Sequence, residues 1–183
     1  MQLAVFLLVP SLIGWCVCPN SYQLSRVRII DGTWEHASDG RLPDDHLAVP
    51  ASVDPVTGEV QYVCRARHDD EIIPGRLHLY DRKCYVEYSG VHGYTSYEVL
   101  LNRDGYNLGW VTSFNGNFPR GSIIGGYQSG WPQFICRVRM EIGGRVRHVG
   151  GKLDTKPGTE YCFVPWDTPE RGFRDYEVLR NRI

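Results

Sequence analysis

Aromatic residues beside a turn are among the side chains of this chain that could contact a ligand. Tyr127 and Trp131 flank a glycine-containing turn, and Tyr62 and Trp166 are further candidates. Aromatic rings offer a large apolar face together with a polar edge, so they can pack against the C–H faces of a sugar. These aromatic residues are therefore candidate ligand contacts.

The motifs of the common enzyme classes are absent from the sequence. There is no His-Glu-x-x-His, Gly-x-Ser-x-Gly, P-loop or dinucleotide fingerprint. Residues 68–71, His-Asp-Asp-Glu, lack the alternation of a calcium loop and are interpreted as a solvated hairpin tip. The six histidines have no ligand spacing: His36, His46, His68, His78, His92 and His148. We predict a protein that is not an enzyme and needs neither a metal nor another cofactor.

A tandem duplication positions these residues. One series of landmarks runs from Trp34 to the Tyr-Glu-Val-Leu at 97–100, and a second runs from Trp110 to the same four residues at 176–179. Most equivalent landmarks are separated by 76 to 79 residues, whereas the two Cys-Arg pairs are separated by 72. Different loop lengths account for that change. We predict repeats at 34–100 and 110–179, so every candidate site has two copies.

Alternating patterns rich in β-formers dominate the chain after residue 25. Residues 60–67 and 133–139 are the longest examples, and Gly and Pro residues separate the segments. No segment has a sustained helical period. These patterns predict an all-β fold in which two tandem repeats of short antiparallel strands interlock into one sandwich- or barrel-like domain.

The first 18 residues are predicted to form a secretory signal peptide. They contain no charged side chain, and their apolar run is too short for a comfortable membrane span. Cleavage is expected between Gly14 and Cys18; the alternative is a buried N-terminal strand or helix. The net charge is −1 without a basic stripe, so we expect a secreted, extracellular protein that neither binds nucleic acid nor spans a membrane.

The cysteines fit an oxidising compartment. Two of the six lie in or beside the leader, and the other four are equivalent between the repeats, which permits two disulfides. The bridges could join cysteines within each repeat or cross between repeats. Four free, buried cysteines are the alternative. The four residues are Cys64, Cys84, Cys136 and Cys162.

The order and duplication of these motifs resemble the DM-nine repeat family. The resemblance runs from Trp34 to Leu179 and comprises the Trp, the Tyr/Phe-Val/Ile-Cys-Arg strand, the Gly-Arg or Gly-Lys pair, the second Cys and the Tyr-Glu-Val-Leu. It implies interlocked all-β repeats. Characterised members are mannose-binding, calcium-independent lectins that act as agglutinins or pattern-recognition receptors in innate immunity, often as dimers.

The resemblance also implies candidate carbohydrate contacts. In mannose-binding members an Asp before the central strand and a Lys in a later turn contact the sugar. The first repeat offers Asp54 and Arg76, whereas the second offers Lys152 but has no Asp in its turn, where Tyr127 and Gln128 stand. A carboxylate accepts from two vicinal hydroxyls while a cation donates to another oxygen, which requires no metal.

Each candidate also has a purely structural interpretation. Asp54-Pro55 is an ordinary turn opener, and Arg76 and Lys152 could be solvated cations at strand entries. Arg65 and Arg137 are expected to pair with Glu98 and Glu177, and Trp34 and Trp110 to occupy equivalent core positions. Two hypotheses follow: a secreted, non-catalytic lectin for mannose-containing, possibly microbial, glycans that could act as a homodimer, or a secreted structural or protein-interaction module without sugar binding.

Overall fold

The computed structural model describes residues 29–54, 56–165 and 171–182. These residues form fifteen β-strands and no helix, so none of their elements is a helix that could cross a membrane. The predicted leader, Cys16, Cys18 and Trp166 lie outside the described residues. The strands are β1 (Ile30–Asp31), β2 (Thr33–Ser38), β3 (Pro50–Val53), β4 (Val60–His68), β5 (Glu71–His78), β6 (Lys83–Glu87), β7 (Val91–Tyr94), β8 (Ser96–Leu101), β9 (Leu108–Phe114), β10 (Ile123–Gln128), β11 (Trp131–Ile142), β12 (Arg145–Asp154), β13 (Cys162–Val164), β14 (Arg171–Phe173) and β15 (Asp175–Asn181).

Strands β2–β8 and β9–β15 repeat one pairing scheme. In each set the second to sixth strands form consecutive antiparallel hairpins, and the first strand pairs with the last. The last strand also pairs with the central one, β8 with β4 and β15 with β11. Strand β10 pairs with β5 and so joins the two sets in one sheet. The all-β, interlocked fold is confirmed.

Alternate residues of each central strand belong to different cores. On β4, Cys64 packs in the core of the first repeat, whereas Val63 packs in a core that both repeats share. On β11, Cys136 and Ile135 divide in the same way between the second repeat's core and the shared one. Because successive side chains point to opposite faces of a strand, these strands are buried on both faces and the repeats cannot be separated without exposing the shared core.

The two predicted Arg–Glu pairs are confirmed, and each stacks on a tryptophan. Arg65 Nε donates to Glu98 at 2.7 Å, and its guanidinium lies 4.3 Å from the Trp34 ring centre. The equivalent Arg137 donates to Glu177 at 2.6 Å and lies 4.4 Å from the Trp110 ring centre. The tryptophans pack against the shared core, but both are only partly buried because they form its edge.

Both disulfides lie within a repeat. Cys64 bonds Cys84 and Cys136 bonds Cys162, so each bridge joins the first and third strands of one three-stranded meander. The crossed pairing and the four free cysteines are therefore wrong. The bridge spans 20 residues in the first repeat and 26 in the second.

Replacing Cys64 and Cys84 together by Ser should lower the free energy of unfolding by about 3 kcal/mol, because a closed loop of this length restricts the unfolded chain by that amount. Urea denaturation of the oxidised protein measures the change, with the Cys136→Ser, Cys162→Ser pair as the matched variant. A peptide map of the unreduced protein that linked Cys64 to Cys162 would contradict the assignment.

Candidate functional site

The first candidate site is centred on Gln61, at the start of β4. Its amide nitrogen donates to Asp54 Oδ2 at 3.0 Å and lies 2.8 Å from His78 Nε2, while its oxygen accepts from Ser52 at 2.7 Å. We call Asp54, Gln61, Arg76 and His78 the Asp54 cluster. Gln61 is fully buried, so these bonds fix the orientation of both the carboxylate and the imidazole.

Asp54 has the structural role of a turn opener. Its Oδ1 accepts the backbone N–H groups of Val56 and Thr57 at 2.8 and 2.7 Å. Burial alone would raise the pKa of Asp54, but the bonds from Thr57 and Val56, with nearby His78, hold it below its ordinary value. The carboxylate is therefore ionised at neutral pH and half-buried.

Arg76 is a buried cation. The residue is only 7% exposed, and its Nη2 donates to the Pro165 carbonyl of the second repeat at 2.6 Å. Among the described residues, Nε and Nη1 are buried without a hydrogen-bond partner. Desolvation lowers the pKa of Arg76 to about 10, although the carboxylates of Asp54, Asp81 and Glu87 oppose that shift. The guanidinium remains charged at neutral pH, and two of its nitrogens bond none of the described residues.

The second candidate site is centred on Gln128, at the end of β10. Its side-chain oxygen accepts from Gln133 Nε2 at 2.5 Å and from Lys152 Nζ at 2.9 Å. Lys152 is 1% exposed, and its ammonium lies 5.5 Å from the Tyr88 ring centre and 5.7 Å from that of Phe163. We call Gln128, Gln133 and Lys152 the Gln128 cluster. Tyr88 belongs to the first repeat, so this cluster also uses both repeats.

Strand register makes the two clusters equivalent. Ser52 pairs with Gln61 on the β3–β4 hairpin, as Gly126 pairs with Gln133 on the β10–β11 hairpin. Counting two residues onward from Ser52 and from Gly126 gives Asp54 and Gln128. The second repeat therefore has a neutral amide where the first has a carboxylate.

A glycine precedes each of the two buried cations, Arg76 and Lys152, and lets the next strand pack closely. A Cβ atom at Gly75 would lie 2.0 Å from the Tyr85 carbonyl oxygen, and one at Gly151 would lie 2.0 Å from that of Phe163. Only glycine permits this approach. Gly75, before Arg76, therefore lets β6 approach β5, and Gly151, before Lys152, lets β13 approach β12.

The sequence-predicted residues divide between the clusters. Asp54 and Arg76 fall in the first, and Lys152 and Gln128 in the second, whereas Tyr127 is 49% exposed and pairs with Ile72 of β5. Their contact with a ligand stays a prediction. Across the described ranges, no three His, Cys, Asp or Glu side chains gather as metal ligands.

Comparison with known proteins shows the family. A family model described as the DM9 repeat matches residues 20–91 and 54–153. The chain belongs to the DM9 repeat family. The two matched ranges overlap, and the second runs from the Asp54 turn of the first repeat to β12 of the second.

A solved structure has a similar fold. The crystal structure of the nematode sperm cell motility protein MFP2B is similar, with a TM-score of 0.56 and 15% identity. The match covers 85% of this chain but 47% of that one, so this DM9 chain spans about half of its structural relative. At this identity the similarity shows the fold alone. No curated protein matches the chain.

Two buried glutamines were missed in the sequence of this DM9 protein. Gln61 and Gln133 each orient the acceptor of their cluster, and each lies three residues before a cysteine. The repeated Gln-x-x-Cys spacing was the sequence signal that could have identified these two glutamines. It was uninformative alone because glutamine at a strand start is usually exposed.

Asp54→Asn should make the stability of the protein less sensitive to acid. Because folding lowers the pKa of Asp54, its carboxylate stabilises the native state above the unfolded pKa and ceases to do so as the pH falls through the folded pKa. The unfolding free energy of the unmodified protein should therefore fall more steeply below pH 3.8. Denaturant titrations across this range measure both slopes; parallel profiles would contradict the assignment.

Proposed function

We propose that the protein is a secreted, non-catalytic lectin that binds hydroxyl-rich glycans, mannose-containing ones first, without a metal. The observation that carries the proposal is the ionised, half-buried Asp54 carboxylate, which shares its cluster with the Arg76 guanidinium, whose Nε and Nη1 are buried and bond none of the described residues. Buried polar atoms without partners are rare in folded proteins and call for an explanation. A sugar hydroxyl can accept from one group and donate to another, which suits such a pair.

The two clusters would differ in what they recognise. The Asp54 cluster offers a carboxylate acceptor with a planar guanidinium, whereas the Gln128 cluster offers an amide oxygen already bonded to Lys152 and Gln133. Charge-assisted hydrogen bonds are the stronger ones. We therefore place the principal site at the Asp54 cluster and a weaker one at the Gln128 cluster.

Secretion and multivalency are part of the proposal. Two disulfides are compatible with an extracellular compartment. Two clusters in one chain, or a pair of chains in a homodimer, would link separate glycans and turn modest affinities into agglutination of microbial surfaces.

The second candidate function is a secreted structural or protein-interaction module. The bond from Arg76 to the Pro165 carbonyl favours it, because that bond ties the two repeats together whether or not a ligand is present. Lys152, at 1% exposure, would equally serve as a structural cation.

A glycan array probed with the oxidised protein, with and without chelator, tests the lectin proposal. We expect chelator-insensitive binding to mannose-rich glycans and at least about a tenfold loss of affinity in Asp54→Asn, because a hydrogen bond to a charged group contributes about 1.5–3 kcal/mol. Gln128→Glu restores a carboxylate beside Lys152 and should strengthen binding.

Asp45→Asn is the matched control, since Asp45 is an exposed aspartate that, among the described residues, pairs with the neighbouring His46. It should bind as the unmodified protein does. If folded protein bound no glycan on the array, the lectin proposal would be contradicted and the interaction module would be favoured. Equal losses in Asp54→Asn and Asp45→Asn would sink the site assignment.

A further inference from the structure

The repeats meet along two equivalent seams, and pairing between described strands closes one of them. At the closed seam β10 pairs with β5 through Tyr127 and Ile72, and the backbone of Ser129 donates to Glu71 at 2.7 Å. The equivalent strands at the other seam are β3 and β12. Among the described strands β3 pairs only with β4, and residues 145–151 of β12 pair only with β11.

A groove of about 360 Å³ occupies the unpaired seam. The seam is tight at one end, where a Cβ at Gly150 would lie 3.1 Å from that of Ala51. Three exposed valines line the groove, and Trp110, Arg137 and His148 line it as well. The valines are Val53, Val60 and Val146. This volume is in the range of small-molecule sites.

The basic end of the groove differs from its counterpart in the first repeat. Arg65 engages both oxygens of Glu98, through Nε at 2.7 Å and Nη2 at 3.3 Å. Arg137 engages Glu177 through Nε alone, and His148 Nε2 lies 3.2 Å from the same carboxylate oxygen. At the position equivalent to His148 the first repeat has Ile72, although His36 pairs with Glu98 on the adjacent strand.

The groove therefore has an excess of positive charge. Its ionisable lining residues are Arg137, Arg147 and His148. The Glu177 carboxylate, which contacts Arg137 and His148, offsets only part of this charge. The two Nη nitrogens of Arg137 bond none of the described residues. A guanidinium with free Nη groups matches the geometry of a carboxylate.

We propose that this groove is a second ligand site, which binds a small carboxylate-bearing molecule. Its carboxylate contacts Arg137 and His148, and its carbon skeleton packs against Val53, Val60 and Val146. No member of the Asp54 cluster is among the described lining residues, although Ser52 lines the groove and bonds Gln61 of that cluster. The proposal does not depend on the lectin proposal.

Binding at this site is coupled to protonation of His148. Burial, Arg137 and Arg139 lower the pKa of His148, and Glu177 opposes them. The lining residues from β3 and β4 carry no ionisable group. A bound carboxylate adds negative charge beside the imidazole, which favours its protonated form, so affinity increases as the pH falls.

Calorimetric titration of the full oxidised chain tests the proposal. The probes are sodium glucuronate and sodium phenylacetate, with glucose and 2-phenylethanol as their neutral counterparts. We expect at least one acid to bind more tightly at pH 5.5 than at pH 7.5. At pH 5.5 its affinity should also be higher than that of its neutral counterpart. Glucuronate binding indicates an acidic sugar as the natural ligand, and phenylacetate binding indicates an apolar acid. Binding of neither acid at millimolar concentration overturns the proposal.

Variants at equivalent positions separate a ligand contact from a structural role. Arg137→Gln should weaken acid binding at least about tenfold, because it removes a charged donor pair. Arg65→Gln removes the matching stacked arginine of the first repeat and should leave acid binding unchanged. Equal losses in the two variants would overturn the site.

His148→Ile introduces the residue that the first repeat has at the equivalent position, Ile72. It leaves the Arg137–Glu177 pair intact, so it tests the site even if Arg137→Gln does not fold. It should weaken acid binding and abolish its pH dependence. An unchanged affinity and pH profile would count against the proposal. Asp54→Asn should retain acid binding, which distinguishes failure here from failure of the lectin proposal.

Discussion

Burial of both faces of β4 and β11 is the constraint on which the rest of the structure depends. One face of each strand packs in its own repeat, and the other face packs in the shared core. On the shared face of β4, Gln61, Val63 and Arg65 follow one another at alternate positions, and β11 repeats the same sequence of amide, apolar residue and arginine. The polar ends of these strands must find partners because water does not reach them freely.

The polar residues at the two ends of these strands have different partners. At the arginine end a tryptophan and a glutamate enclose the guanidinium, which places opposite charge and an aromatic face around one cation. At the glutamine end the amide orients an acceptor from the preceding hairpin. Each cluster also draws a contact from the other repeat, Pro165 to Arg76 and Tyr88 to Lys152, so neither cluster is complete in one repeat.

The duplication preserved the backbone and diversified the charges. Asp54 corresponds to Gln128, and Ile72 corresponds to His148, so one copy has a carboxylate cluster and the other a basic groove. The strand pairing and the buried core residues do not include these side chains, although Asp54 also caps its own turn. Such positions can change without loss of the fold, which is why one architecture can present different surfaces in its two halves.

The sequence by itself determined the strand content, the duplication, the family resemblance and the pairing of Arg65 with Glu98, because period-2 patterns and repeated motifs are local and recur at fixed offsets. Only the tertiary structure decided that the disulfides stay within each repeat, that Arg76 and Lys152 are buried, and that one seam is paired while the other is open. Those features depend on how strands distant in sequence pack together, and loop lengths and spacings leave several arrangements open.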